Sequence, residues 1–159
     1  EVDIDSEGKL DYKDEILKEF DLVVVAIHTG FKQSKEKLTR RLIKACQNRY
    51  VHIIAHPTGR LWGTRDAYEI DWDELLKVAN QTNTFLEINA FPQRLDLNDL
   101  NCRRAKEMGV KLALGTDAHT TEQLENMKLG ISVARRGWLT RDDLINTLSL
   151  DVLLKAIKK

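Results

Sequence analysis

The apolar runs of this chain end in metal-ligating side chains. The run at 22–27 stops at His28, the run at 51–55 stops at His56, and the run at 110–114 leads through Gly115 and Thr116 to Asp117 and His119. Short runs without polar alternation suit strands of a parallel sheet that is covered on both faces. Helix-period segments separate them, so the order is strand, helix, strand, helix, which describes an α/β layer fold. In such folds the carboxyl ends of the strands carry the chemistry. Imidazoles and a carboxylate placed there most simply describe a metal site.

The spacing predicts strands over 22–27, 51–55, 84–88 and 110–114, with a short fifth near 2–4. A helix is predicted over 34–48, where Leu38, Leu42, Ala45 and Cys46 share one face and Lys37, Arg40, Arg41 and Lys44 lie largely off it. Asp71 with Glu74 reads as an N-cap and its N3 partner, opening a helix through about 79. Another helix runs from about 98 to 108 and ends at Gly109, and further helices fall near 121–135, 140–148 and 151–158. Five strands are too few for a closed barrel, which typically takes about 250 residues. The chain reads as a single domain over 1–159. Its longest irregular stretch, 57–70, follows a candidate ligand, the usual position of a functional loop.

Composition excludes some partners. Lys plus Arg and Asp plus Glu number 25 each, so the net charge of zero argues against broad electrostatic capture of nucleic acid, while leaving room for a local basic mouth. No apolar run approaches membrane-spanning length and no signal peptide is visible, so a cytoplasmic protein with no membrane partner is expected. Cys46 and Cys102 fall in helical patterns and read as small buried hydrophobes, not as a disulfide.

Residue by residue, Thr116-Asp117-Ala118-His119 offers hard oxygen and imidazole nitrogen two positions apart, a set that suits Zn²⁺, Mn²⁺ or Fe²⁺. The same residues would also serve as a helix-capping Asp beside a surface His. In His56-Pro57-Thr58-Gly59-Arg60 the proline forces His56 into an extended approach, Gly59 lets backbone come near a ligand, and Arg60 can fork onto a phosphate. His28 shares the strand-end placement. His52 would share a face with His56 on a regular strand, and is more simply a hydrogen-bonded core histidine. Glu87, late in an apolar strand, needs an Arg, a backbone donor or a metal-ligating residue to offset its burial. Arg94, Arg135 and Arg136 are candidates for phosphate contact against a default of solvation. Trp62, Trp72 and Trp138 read as packing residues before base-stacking platforms.

In order along the chain stand Glu1-Val2-Asp3-Ile4, Gly8-Lys9-Leu10-Asp11-Tyr12, Ile27-His28, His56-Pro57-Thr58-Gly59-Arg60-Leu61, Glu87-Ile88-Asn89-Ala90, Arg94-Leu95-Asp96-Leu97, Thr116-Asp117-Ala118-His119 and Ala134-Arg135-Arg136-Gly137-Trp138. This string resembles the PHP (polymerase and histidinol phosphatase) superfamily, and within it the C-terminal PHP domain of bacterial and archaeal family X DNA polymerases. The resemblance implies a distorted (β/α)7 TIM-like barrel, present here in part. It implies a trinuclear Mn²⁺ or Zn²⁺ centre, with Glu1 as a bridging glutamate and His28, His56, Asp117 and His119 as further ligands. The implied activity is metal-dependent phosphoester hydrolysis, acting as a 3′–5′ exonuclease and 3′-phosphatase on DNA 3′ ends, with a polymerase domain in cis. Arg60 would neutralise phosphate charge, with Thr58, Arg94 and Arg136 as further substrate contacts; whether His28 or His119 assists the leaving group stays open. The family opens with a His-x-His motif ahead of that glutamate. These residues therefore correspond to the C-terminal portion of a PHP domain, and uncovered strand edges could be closed by a homodimer. A histidinol-phosphatase-like small-molecule phosphatase and a non-catalytic module supporting a polymerase are the competing readings.

Overall fold

The computed structural model describes residues 1–158. Its strands are β1 (Val2–Asp3), β2 (Val24–Ala26), β3 (Ile53–Ile54), β4 (Phe85–Asn89) and β5 (Leu112–Gly115). They form one parallel sheet in chain order, with Val24 opposite Ile53, Ile53 opposite Phe85, and Leu86 opposite Leu112. Each crossover steps to the next strand without reversal, so successive helices collect on one face. These are α2 (Lys35–Gln47), α3 (Trp72–Gln81), α4 (Asp99–Glu107) and α5 (Met127–Arg136), preceded by the single turn α1 (Asp14–Leu17). A singly wound five-stranded layer of this kind is compatible with an arc of a barrel.

Strand side chains alternate between faces. Val25, Ile54, Leu86, Ile88, Leu112 and Leu114 enter the main core with Leu38, Leu42, Leu75, Leu76, Cys102 and Ala105 from the helices. The opposite parity, Ile53, Phe85 and Ala113, forms a second, smaller core with Ile145 and Ile157. The last helix, α6 (Leu150–Ala156), adds Leu153 and Ala156 to it. Burial on both faces explains why the strands read as unbroken apolar runs. The second core sits on the first residues of β3 and β4, so it closes the amino end of that face and leaves the carboxyl end to polar side chains.

The expected cap at Asp71 is present, its side chain accepting from the backbone N–H of Glu74, and Ser34 and Asn98 cap their helices in the same way, accepting from Lys37 and Asn101. Gly109 takes φ +76° after α4. Cys46 and Cys102 are buried thiols. Residues 140–148 depart from the expected helix. Two 3-10 turns, Arg141–Asp143 and Ile145–Thr147, flank an extended Leu144 that bridges to Leu112. Asn146 Oδ1 then accepts from Leu114 N (2.7 Å) and its Nδ2 donates to Leu114 O (2.9 Å). An amide side chain here does what a further strand would do for the edge of β5. Similarly, the expected helix near 121–135 opens as a 3-10 turn, Glu122–Asn126, before α5. No helix among the described residues is long and apolar enough to cross a membrane.

A candidate metal centre at the strand ends

Val2 belongs to the main core, so Glu1 and Asp3 point to the opposite face. His28, two residues beyond Ala26 on the neighbouring strand, reaches the same face. Its Nδ1 hydrogen-bonds Asp3 Oδ1, and its Nε2 lies 3.0 Å from Glu1 Oε1. A carboxylate on one ring nitrogen fixes the imidazole and aims the other nitrogen, the usual support for a ligating histidine. Against the extended approach expected ahead of Pro57, the His56 backbone turns off its strand at φ +29°, a rare value for a residue with a Cβ. That turn swings the imidazole beside His28, with ring centroids 5.2 Å apart. His56 Nε2 is 3.5 Å from the same Glu1 oxygen.

One ligand atom each from Glu1, His28 and His56 lies within 4.8 Å of the others. The hydrogen bond with His56 holds the Glu1 carboxyl below the usual carboxylate range, against the opposing effect of partial burial. His56 is 2% exposed and its Nδ1 has no hydrogen-bond partner. One ionised oxygen and two imidazoles fit the donor preferences of Zn²⁺ or Mn²⁺.

Asp117 and His119 stand at the same end of the sheet in a different state. Asp117, at φ +53°, accepts at Oδ2 from Arg94 Nε (3.1 Å) and Asn89 Nδ2 (3.2 Å). His119 Nδ1 faces the Asp117 carbonyl oxygen at 2.8 Å, and its ring meets Phe91 edge-on. The two halves are joined through Glu87. Its Oε2 accepts from His56 N (2.8 Å) and from the Asn89 amide (3.2 Å), so a continuous chain of polar contacts runs from His56 to Asp117. Burial pushes the Glu87 carboxyl up to about 7. Its principal partner is thus a backbone donor, one of the options the sequence left open. A Cβ at Gly115 would collide with Glu87 Oε1, so any other residue there requires the Glu87 carboxylate to move.

The side chains expected to meet phosphate are engaged within the protein. Thr58 donates from N (2.9 Å) and Oγ1 (2.8 Å) to Asp96 Oδ2. Arg60 donates from Nε to Arg94 O (2.6 Å) and from its terminal nitrogen to Leu95 O. Arg94 pairs with Asp117 while its NH1 stays buried without a partner. Arg136 pairs with Asp99 at 2.8 Å, between α5 and the start of α4. Asp3, Asn89 and Asp96 were not singled out by the sequence; only the two-residue spacing of Asp3 from Glu1 and of Asn89 from Glu87 hinted at the first two. His52 is not on a shared face with His56: its Nδ1 accepts from Val23 N (2.9 Å), and the turn at His56 breaks the alternation. Trp62 is 60% exposed and Trp138 66%, so packing does not account for these two, whereas Trp72 packs against the main core.

No protein-family model matches the chain. The DNA polymerase/3′-5′ exonuclease PolX of Bacillus subtilis (strain 168) is 48% identical over 150 residues, covering 94% of this chain and 26% of that protein. A probable phosphatase of Thermoanaerobacter sp. (strain X514) is 36% identical over 157 residues, covering 92% of this chain and 62% of that protein. A probable phosphatase of Caldanaerobacter subterraneus subsp. tengcongensis is 37% identical over 125 residues, covering 73% of this chain and 47% of that protein. The chain thus spans about a quarter of PolX and at most about three fifths of these phosphatases. The similarities bear out the resemblance drawn from the motifs and support a phosphoesterase-type domain. They lend no support to a homodimer.

Proposed function

On the premise that the chain is a PHP-type domain akin to that of a family X polymerase, we propose that it hydrolyses phosphoesters at DNA 3′ ends. It would act as a 3′–5′ exonuclease and 3′-phosphatase beside a polymerase domain in cis, as the C-terminal portion of a PHP barrel. The observation that carries this reading is the convergence of Glu1, His28 and His56 on one point at the strand ends. These three, with Asp117 and His119, would hold Mn²⁺ or Zn²⁺. When bound, such cations lower the pKa of water and neutralise charge on a phosphoryl group. Asp3 orients His28, and Glu87 fixes the backbone of His56. Arg60 and Arg94 supply positive potential at the rim where phosphate charge develops.

The phosphatase relatives favour a second reading, hydrolysis of a phosphorylated small molecule. Both are tested by incubating the purified full-length protein with Mn²⁺ and a 3′-phosphorylated oligonucleotide, in competition with histidinol phosphate. The proposal expects release of phosphate from the oligonucleotide, little affected by the small molecule and lost in His56→Ala. Hydrolysis of histidinol phosphate alone would establish the second reading. No hydrolysis of either would overturn both.

A further inference from the structure

We propose that Trp62 is a stacking platform for a base near the end of a single-stranded nucleic acid. The inference deepens the reading above and rests on it for the position of the reacting end. Trp62 occupies the tip of a closed turn. Leu61 N donates to Arg65 O and Arg65 N to Leu61 O, both at 2.8 Å, and Thr64 N donates to Leu61 O at 2.9 Å. Gly63 gives the turn its φ of +75°. From the other side Trp62 N donates to Gln93 O at 2.7 Å. The indole therefore stands on backbone pinned to two segments, yet it is 60% exposed. A large aromatic surface left in water on a fixed stem is a preformed contact, and little entropy is lost when a flat partner covers it.

The chemistry around the indole selects that partner. The Arg60 guanidinium lies 4.9 Å from the indole centroid and is itself held by the carbonyls of Arg94 and Leu95. Arg65 is held by Gly59 O (2.6 Å) and lies 3.7 Å from the Phe31 centroid. Together with Asp66 these residues line a cavity of about 450 Å³. Two fixed guanidinium groups against one carboxylate make a locally cationic wall in a chain whose net charge is zero. The wall continues the turn that starts at His56 and is braced by Arg94, the partner of Asp117. A ligand with planar rings and repeated negative charge matches an exposed indole in a cationic groove, and base stacking of this kind is worth about 1–3 kcal/mol per base. A phosphorylated metabolite without a ring system gains nothing from Trp62, so the platform favours polynucleotide ends.

The test is fluorescence anisotropy of the full-length protein in EDTA at low salt. The probes are an end-labelled oligothymidylate and the same oligonucleotide with abasic terminal positions. The wild type should prefer the base-bearing probe by about 5- to 150-fold, the binding ratio that stacking of this strength produces. Trp62→Ala should abolish the preference and Trp62→Phe should keep most of it. An unchanged preference in Trp62→Ala, a loss as complete in Trp62→Phe, or failure of the wild type to bind either probe would overturn the proposal. Hydrolysis of p-nitrophenyl phosphate by the wild type in Mn²⁺ separates the two readings. If it persists without base-dependent binding, only the platform is wrong; base-dependent binding without hydrolysis of any phosphoester overturns the phosphoesterase reading instead.

Discussion

The two halves of the candidate centre are built from similar residues and held differently. At the Glu1 end, an oxygen and two imidazoles face one another, and their outer contacts, Asp3 on His28 and Glu87 on the His56 backbone, orient them without occupying the inner atoms. At the Asp117 end, the carboxylate is paired with Arg94 and with the Asn89 amide. The difference follows from how each side chain arrives. Glu1, Asp3 and His28 come off adjacent strands whose register places them together, whereas Asp117 and His119 come off a loop beside Arg94. Sheet pairing preforms a site; a loop satisfies its own charges first.

Several substitutions bear on this contrast. The largest effect is expected for His56→Ala. Loss of a residue that merely supports a ligand typically costs about 10- to 100-fold, so loss of a ligand should lower Mn²⁺-dependent phosphate release by at least about 100-fold, and by more than Asp117→Asn does. Equal losses would remove the distinction between the halves. Gly115→Ala should destabilise by about 1–3 kcal/mol in urea unfolding, because the added methyl drives Glu87 from the link between them. Arg94→Met leaves Asp117 with only the Asn89 amide and should cost about 1–3 kcal/mol without metal. Added Mn²⁺ should then raise the melting temperature more in the variant than in the wild type, since a cation replaces the lost guanidinium. An identical rise in both would show that Arg94 does not compete for Asp117.

The smallest expected effect concerns Asp96, buried under the turn at Thr58. Burial raises its pKa in the folded state, so folding retains a proton that the unfolded chain gives up. The stability tied to neutral Asp96 is complete below the unfolded carboxylate pKa and is lost as pH rises toward the folded value. Urea titrations should show the wild type losing stability relative to Asp96→Asn over that rise; parallel curves would place the ionised form in the fold.

The strand ends and one cap were readable because local rules set them: apolar runs marked β2 to β5, and Asp71 with Glu74 announced its helix. Residues 140–148 were misread as a helix because their apolar spacing serves the edge of β5, where Leu144 and Asn146 answer to a strand distant in sequence. His28 and His56 could be singled out from placement alone, yet Asp3 and Asn89 could not. Short polar residues in strands acquire a role only from the neighbours that strand pairing supplies. The backbone contact of Trp62 N with Gln93 O joins segments far apart in the chain, which no local pattern announces.

The central claim is that Glu1, His28 and His56 share one cation. X-ray absorption of the Zn²⁺-loaded protein tests it most directly. The account predicts imidazole scattering with ligand distances of about 2.0–2.2 Å, reduced by one imidazole in His56→Ala. A loaded protein whose spectrum lacks histidine scattering, or is unchanged by that substitution, would contradict it.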